Sequence, residues 1–149
     1  MGWLTPKTNW EIKPLVDGLY QGDWFNYTDF NRIAGNLRYL HAAGQNVYST
    51  TFSIPSITDQ SVNNIPHASD LNALEDVLYA IASNTIMPED YSGKVTWVAN
   101  GATPTVDDLN RLERACADIY LALAETAVND FYTSAGDRFF VTGGAFRVR

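Results

Sequence analysis

Cysteine is almost absent from this chain of 149 residues, in which Cys116 is the only example. A single thiol forms no disulfide within its own chain, and it leaves no cysteine cluster for a structural zinc ion. Because Cys116 falls on the apolar stripe of a predicted helix, we interpret it as a small core residue. A reactive nucleophile is the alternative.

Basic residues and long apolar runs are also scarce. Ten Lys and Arg against seventeen Asp and Glu give a net charge of -7. A surface of that sign is repelled by phosphate backbones and by anionic membranes, so we expect no nucleic-acid partner. No apolar run approaches the roughly 18 residues of a membrane span, so we expect none. The N-terminus lacks the regions of a signal peptide, and we expect synthesis in a host cytoplasm.

The common motifs of catalysis and cofactor binding are missing as well. The chain has no glycine-rich phosphate or dinucleotide loop, no HExxH and no GxSxG. We interpret His41 and His67, which lie far apart in the sequence, as surface or cap residues rather than a metal pair. We therefore predict a protein that is not an enzyme and that has no cofactor and no metal. Two carboxylates brought face to face by the fold, as in a glycosidase, are the alternative.

One pattern occurs three times without gaps, in residues 26–40, 67–81 and 105–119. Each copy contains an Asp, then an apolar residue, then an Asn, with apolar residues at one, four, eight and eleven positions after the Asp. This spacing is typical of an amphipathic helix. The apolar sets are Phe30, Ile33, Leu37 and Leu40; Leu71, Leu74, Leu78 and Ile81; and Leu109, Leu112, Cys116 and Ile119.

The polar residues of the pattern predict how each helix begins. Asn26 and Thr105 are good N-caps, and Asp29 and Asp108 stand three residues later, as in a capping box. In the second copy we expect Ser69 to be the cap. We interpret the repeated Asp as a capping residue rather than a catalytic acid, and we expect the repeated Asn to bind the backbone of the preceding loop.

The fold class that follows is mainly α with minor β (α+β). It comprises three repeated helices, an irregular N-terminal arm, short strands between the helices and a C-terminal hairpin. The predicted elements are helices over about 28–43 (ending at Gly44), 69–83 (ending at Asn84) and 106–130; extended or strand segments over 47–54 and 94–98; and a hairpin turning at Gly143-Gly144. The predicted domains are an aromatic docking arm over 1–25, a helical repeat body over 26–137 and a C-terminal β segment over 138–149.

The predicted arm, residues 1–25, carries many aromatic side chains but no helical period. One interpretation is that it wraps the helices and fills the edge of the core. The other is that it docks on a neighbouring subunit, because aromatic residues dominate interface energetics. The interface candidates are Trp3, Trp10, Tyr20, Trp24 and Phe25.

Three runs carry a resemblance to a known group of proteins: Thr5-Pro6-Lys7-Thr8-Asn9-Trp10, residues 24–33 (WFNYTDFNRI) and residues 36–40 (NLRYL). They resemble the opening of small tail-region (baseplate- or fibre-associated) structural proteins of bacteriophages and prophages of Gram-positive bacteria. The resemblance covers about the first 40 residues, and beyond them it rests on the weaker copies of the repeat. The second copy of the repeat departs from the pattern, with Ala73 where Arg32 and Arg111 stand in the others.

The resemblance implies a structural role in the virion, near the tail tip, baseplate or fibre, with no known chemistry. Our leading hypothesis is a tail component that acts by docking on other virion tail proteins and forms a homo-oligomer. A different class is a host-envelope binding or adaptor module, for which a host surface glycan is the candidate ligand. A cell-wall hydrolase is the third and least favoured hypothesis.

Overall fold

The computed structural model describes residues 2–139, with side chains as far as residue 128. Three helices form most of this part of the chain, and two short antiparallel strands make one hairpin. The predicted class, mainly helical α+β, is therefore confirmed. The elements are β1 (Leu15–Val16), β2 (Leu19–Tyr20), α1 (Tyr27–Val47), α2 (Ala68–Asn84) and α3 (Val106–Phe139), with Leu15 paired to Tyr20 and Val16 to Leu19.

Each helix begins where an Asp closes its first turn, three residues after the N-cap. The carboxylate accepts the N-cap main-chain N–H and lies at the positive end of the helix dipole. The second helix begins after His67, so the expected cap at Ser69 is wrong and all three helices keep one register. The bonds run from the N–H of Asn26 to Asp29 (3.1 Å), of His67 to Asp70 (2.8 Å) and of Thr105 to Asp108 (2.9 Å).

The helix ends differ more from expectation than the starts. α1 passes through Gly44 and ends at Val47, so the predicted stop at Gly44 is wrong. Gly44 is buried, and a Cβ there would lie 2.6 Å from Cγ2 of Thr85, just beyond α2. The glycine therefore permits a close approach of two helix ends rather than a turn. α3 runs to Phe139, well past the predicted end at residue 130.

The connections between the helices contain no strand within the described residues, so a strand over 94–98 and the strand alternative for 47–54 are wrong. The physical reason is that helix side chains, not a second strand, bind their main-chain groups. The N–H of Phe52 donates to Oε1 of Gln45 at 3.1 Å, and Trp97 is bound by Asn72 in α2. The hairpin predicted around Gly143-Gly144 lies outside the described residues.

The three helices run in the same direction, with their starts together. Arg32, three residues after the capping Asp of α1, pairs with Glu113, five residues after the capping Asp of α3. Arg111 of α3 and Glu75 of α2 form the same pair at the same positions. Each connection must therefore return along the outside of the bundle before the next helix begins.

The core lies between the three helices. Every apolar stripe residue predicted from the three copies of the pattern is buried, from Phe30 to Ile119. Cys116 is among them, and burial raises the pKa of its thiol, which suits the core interpretation. Further along α3, Leu123 is buried and Ala127 is exposed, so the stripe leaves the core between them.

Candidate assembly surface

The repeated Asn of each helix holds an extended segment by two hydrogen bonds to a single residue. A carboxamide offers one acceptor and one donor, and so it matches the N–H and C=O of one residue as a neighbouring strand would. We call this arrangement an asparagine clamp. The clamps join Asn31 to Gln60 (2.7 and 2.9 Å), Asn72 to Trp97 (2.8 and 2.9 Å) and Asn110 to Trp10 (2.8 and 3.1 Å).

The clamps follow a cyclic order around the bundle. α1 holds the segment that enters α2, α2 holds the segment that enters α3, and α3 holds the segment that enters α1. The expectation that each Asn binds the preceding loop is therefore wrong, because the partner follows the helix in α1 and α2 and lies at the chain start for α3. On α3, the segment around Trp10 takes the place that the inter-helix connections take on α1 and α2.

Residues 2–10, which we call the N-terminal segment, lie in the groove between α1 and α3. Asn36 of α1 makes a fourth clamp, on Leu4 (2.8 and 2.7 Å). Glu113 accepts the N–H of Lys7 at 3.0 Å, and Arg114 donates to the C=O of Thr8 at 3.3 Å. The segment is thus bound mainly through its main chain.

The five interface candidates divide between the body and the surface. Trp3 stacks on Tyr120 with ring centroids 4.2 Å apart, and Trp10 is only 4% exposed. Phe25 packs against the core. Tyr20 meets Trp24 edge-on at 5.0 Å, and Trp24 is 69% exposed. The interface assignment stays a prediction, but of the five only Trp24 presents most of its surface to solvent.

The β1–β2 hairpin and its flanks carry exposed apolar residues, of which the sequence analysis singled out only Trp24. Its turn residues Asp17 and Gly18 have φ values of 52° and 76°, as a type I′ turn requires. An Asp-Gly pair between apolar pairs is a hairpin signal, and it could have located this element. We call the exposed apolar side chains here, each 53–70% exposed, the hairpin patch: Ile12, Leu15, Val16, Leu19 and Trp24.

The hairpin is closed at its base by contacts between Glu11 and Asp23. The N–H of Glu11 donates to the Asp23 carboxylate at 2.9 Å, and the N–H of Asp23 donates to the C=O of Glu11 at 3.1 Å. Lys7 of the N-terminal segment lies 3.2 Å from the same carboxylate. The hairpin patch therefore projects from a base that is fixed to the body.

A cavity of about 490 Å³ lies beside α3, against residues 88–92. Its lining combines apolar surface with both charges, since Pro88 and Ala115 lie beside charged side chains: Asp90, Asp107, Asp118, Arg111 and Arg114. Tyr91 also lines it, and burial, followed by the charge of Glu75, raises the pKa of Tyr91 to about 12. Such a lining suits a small polar ligand.

Among the described residues, no group of three or more His, Cys, Asp or Glu side chains could hold a metal ion. His41 lies 2.7 Å from the C=O of Phe52 through Nε2, and His67 caps α2. None of the helices within residues 2–139 has the length and apolar character needed to cross a membrane.

Comparison of the chain with family models, with curated proteins and with solved structures gives no match.

Proposed function

We propose that this protein is a structural component of a phage tail or tail-like particle and that it docks on neighbouring tail proteins through the hairpin patch. The observation that carries the docking role is the patch, in which five apolar side chains within residues 12–24 are more than half exposed. The register places Leu15 on one face of the hairpin and Val16 and Leu19 on the other, so both faces present apolar surface. Exposed apolar surface concentrated in one segment indicates an interaction site. The resemblance carried by the runs between Thr5 and Leu40 supports the tail location, at the tip, baseplate or fibre.

The element that carries the patch suits an assembly contact. A hairpin with such short strands is marginally stable alone in water, so a partner that covers it would also order it. Its base is closed by the Glu11–Asp23 contacts, and the clamp on the adjoining Trp10 attaches that base to the body. A partner bound to the hairpin is thereby held in a defined position relative to the three helices.

The test is incorporation of variant protein into particles. Leu15→Ser combined with Leu19→Ser removes two exposed apolar side chains and leaves the core untouched, so the melting temperature should not change. We expect at least a tenfold loss of the protein from purified particles, measured by immunoblot against the major tail protein.

The matched control is Val62→Ser combined with Ile65→Ser, since these residues are 75% and 79% exposed on the α1–α2 connection. The control should be incorporated like the natural chain. Normal incorporation of the hairpin variant would contradict docking through this patch.

The cavity beside α3 favours a second candidate function, a host-envelope binding module. Its aromatic, hydroxyl and charged lining from Tyr91, Ser92 and Asp118 matches the chemistry that orients a sugar. A glycan array with the natural chain, repeated with Asp118→Ala, tests this function. A hydrolase, the third hypothesis, would clear peptidoglycan in a zymogram.

A further inference from the structure

We propose that the N-terminal segment also binds in trans, leaving the groove between α1 and α3 of its own chain and filling the same groove of a second copy. The partner is thus another copy of this chain, and its contribution is residues 2–10. The proposal uses contacts different from those of the hairpin patch, and it holds whether or not the protein belongs to a phage tail.

The first step is the way the groove recognises its occupant. Six hydrogen bonds reach main-chain atoms of the segment: two from Asn36 to Leu4, two from Asn110 to Trp10, and one each from Glu113 and Arg114. Trp3 adds the stack on Tyr120, and Trp10 lies with its ring 5.9 Å from the Arg32 guanidinium carbon. The same segment of a second copy would remake every one of these contacts.

The second step is the low cost of releasing the connection. Residues 11–25 join the segment to α1, and the apolar side chains of their hairpin are already exposed, so opening it uncovers little further apolar surface. What is lost is the pairing of β1 with β2, the Glu11–Asp23 contacts, the exposed Lys7–Asp23 ion pair and the ring contact of Tyr20 with Trp24. Exchange of an identical element between copies is a low-cost route to dimers for this reason.

The third step is reach. The connection over residues 11–25 spans about 50 Å when extended, whereas α1, with 21 residues, is about 32 Å long. An opened connection is therefore longer than the groove it leaves. It can deliver the segment to a second body beside the first while Phe25 keeps its place against the core.

Complementation between two full-length variants tests the proposal. The groove variant, Asn36→Ala with Asn110→Ala, keeps a normal segment but loses both clamps. The segment variant, Trp3→Ala with Leu4→Pro, keeps a normal groove but lacks the stacked ring and the N–H that Asn36 accepts. Neither variant alone has both an intact segment and an intact groove. In a mixture, the intact segment of the groove variant can bind the intact groove of the segment variant.

Native mass spectrometry reads the result. We expect a 1:1 complex, at twice the 16.6 kDa of one chain, in the mixture and not in either variant alone. If both variants are folded, as shown by a helical circular dichroism spectrum, and the mixture stays monomeric, the proposal is overturned. If either variant fails to fold, chains that carry only Leu15→Ser and Leu19→Ser, prepared in two isotopic compositions, replace them. Mixed dimers of these chains support exchange, and monomers alone overturn it.

A final pair of substitutions separates this proposal from docking through the hairpin patch. Leu15→Ser with Leu19→Ser, added to both variants, should leave the 1:1 complex intact because neither residue touches the groove. Loss of the complex on adding these serines would show association through the patch, and that result would overturn segment exchange.

Discussion

At the scale of the residue, an amide side chain decides where the extended segments lie. Asn is a poor helix former, yet it stands two positions after the capping Asp in all three helices. Its position is explained by the clamp, since a connection that pairs with no second strand must satisfy its buried N–H and C=O through side chains. Trp10, Gln60 and Trp97, the residues that the repeated Asn holds, are all buried.

The first prediction concerns Asn110, whose clamp on Trp10 is buried at both ends. Asn110→Ala leaves a buried N–H and a buried C=O without a partner, at about 1–3 kcal/mol for each unpaired group. We expect chemical denaturation to show a loss of that order. The control is Asn84→Ala, because Asn84 is exposed and bonds only to Ala80 of its own helix. Equal losses from the two substitutions would contradict the clamp.

At the residue scale, the partners of the capping Asp residues were predictable from the sequence, and those of the clamping Asn residues were not. Asp29 and Asp108 were predictable as caps because the groups that they bind are three residues away. The partner of Asn110 is 100 residues away along the chain, and that of Asn31 is 29 away. No local pattern encodes such a partner, so the sequence indicated a backbone contact but not which segment it holds.

At the scale of the element, ion pairs join the helices near their starts at two of the three helix interfaces. Arg32 of α1 meets Glu113 of α3, and Arg111 of α3 meets Glu75 of α2. The pattern places Ala73 of α2 and Ala34 of α1 at the corresponding positions of the third interface. The third interface therefore lacks both the Arg and the Glu. Because neither is present without the other, no charge is buried there without a partner.

The second prediction follows from the burial of Glu113. Burial raises the pKa of this carboxyl above its ordinary value, and the bond and charge of Arg32 oppose the rise. The folded chain then binds the proton more tightly than the unfolded chain. This group's contribution to stability is therefore present at acid pH and is lost as pH rises through the pKa of the folded state. Glu113→Gln removes the contribution.

The measurement is the free energy of unfolding of the natural chain minus that of Glu113→Gln, between pH 4 and pH 7. The difference should decrease as pH rises, by about 1.4 kcal/mol for each unit by which the pKa is raised. A difference that increases with pH would mean that the attraction of Arg32 outweighs burial.

At the scale of the whole molecule, the sequence predicts the three helices and the residues of the core, but it does not predict how the helices are arranged. The stripe from Phe30 to Ile119 forms the core as predicted, because periodicity reports which face of a helix is buried. Nothing local states that the helices run in the same direction. The common direction depends on long segments that return from the end of one helix to the start of the next. These segments are bound through their main chain, so their residue types carry little sign of where they lie.

The same arrangement divides the predicted arm, residues 1–25, into two parts with different physical roles. The N-terminal segment is bound by hydrogen bonds along a groove, whereas the hairpin that follows is attached only at its base. A deletion of the whole region would remove both parts at once. Variants confined to one part are therefore the informative ones for assembly.

The last prediction uses amide hydrogen exchange to separate these parts in the natural chain. The N–H groups of Leu4, Lys7 and Trp10 donate to helix side chains, and they exchange only when the segment leaves its groove. Two clamps that must open, at ~1.5 kcal/mol each, would slow exchange about a hundredfold relative to the hairpin amides. Equally fast exchange in both parts would mean that the segment is not held. A common rate for all three amides would mark its release as one cooperative unit, which is the event that binding to a second copy requires.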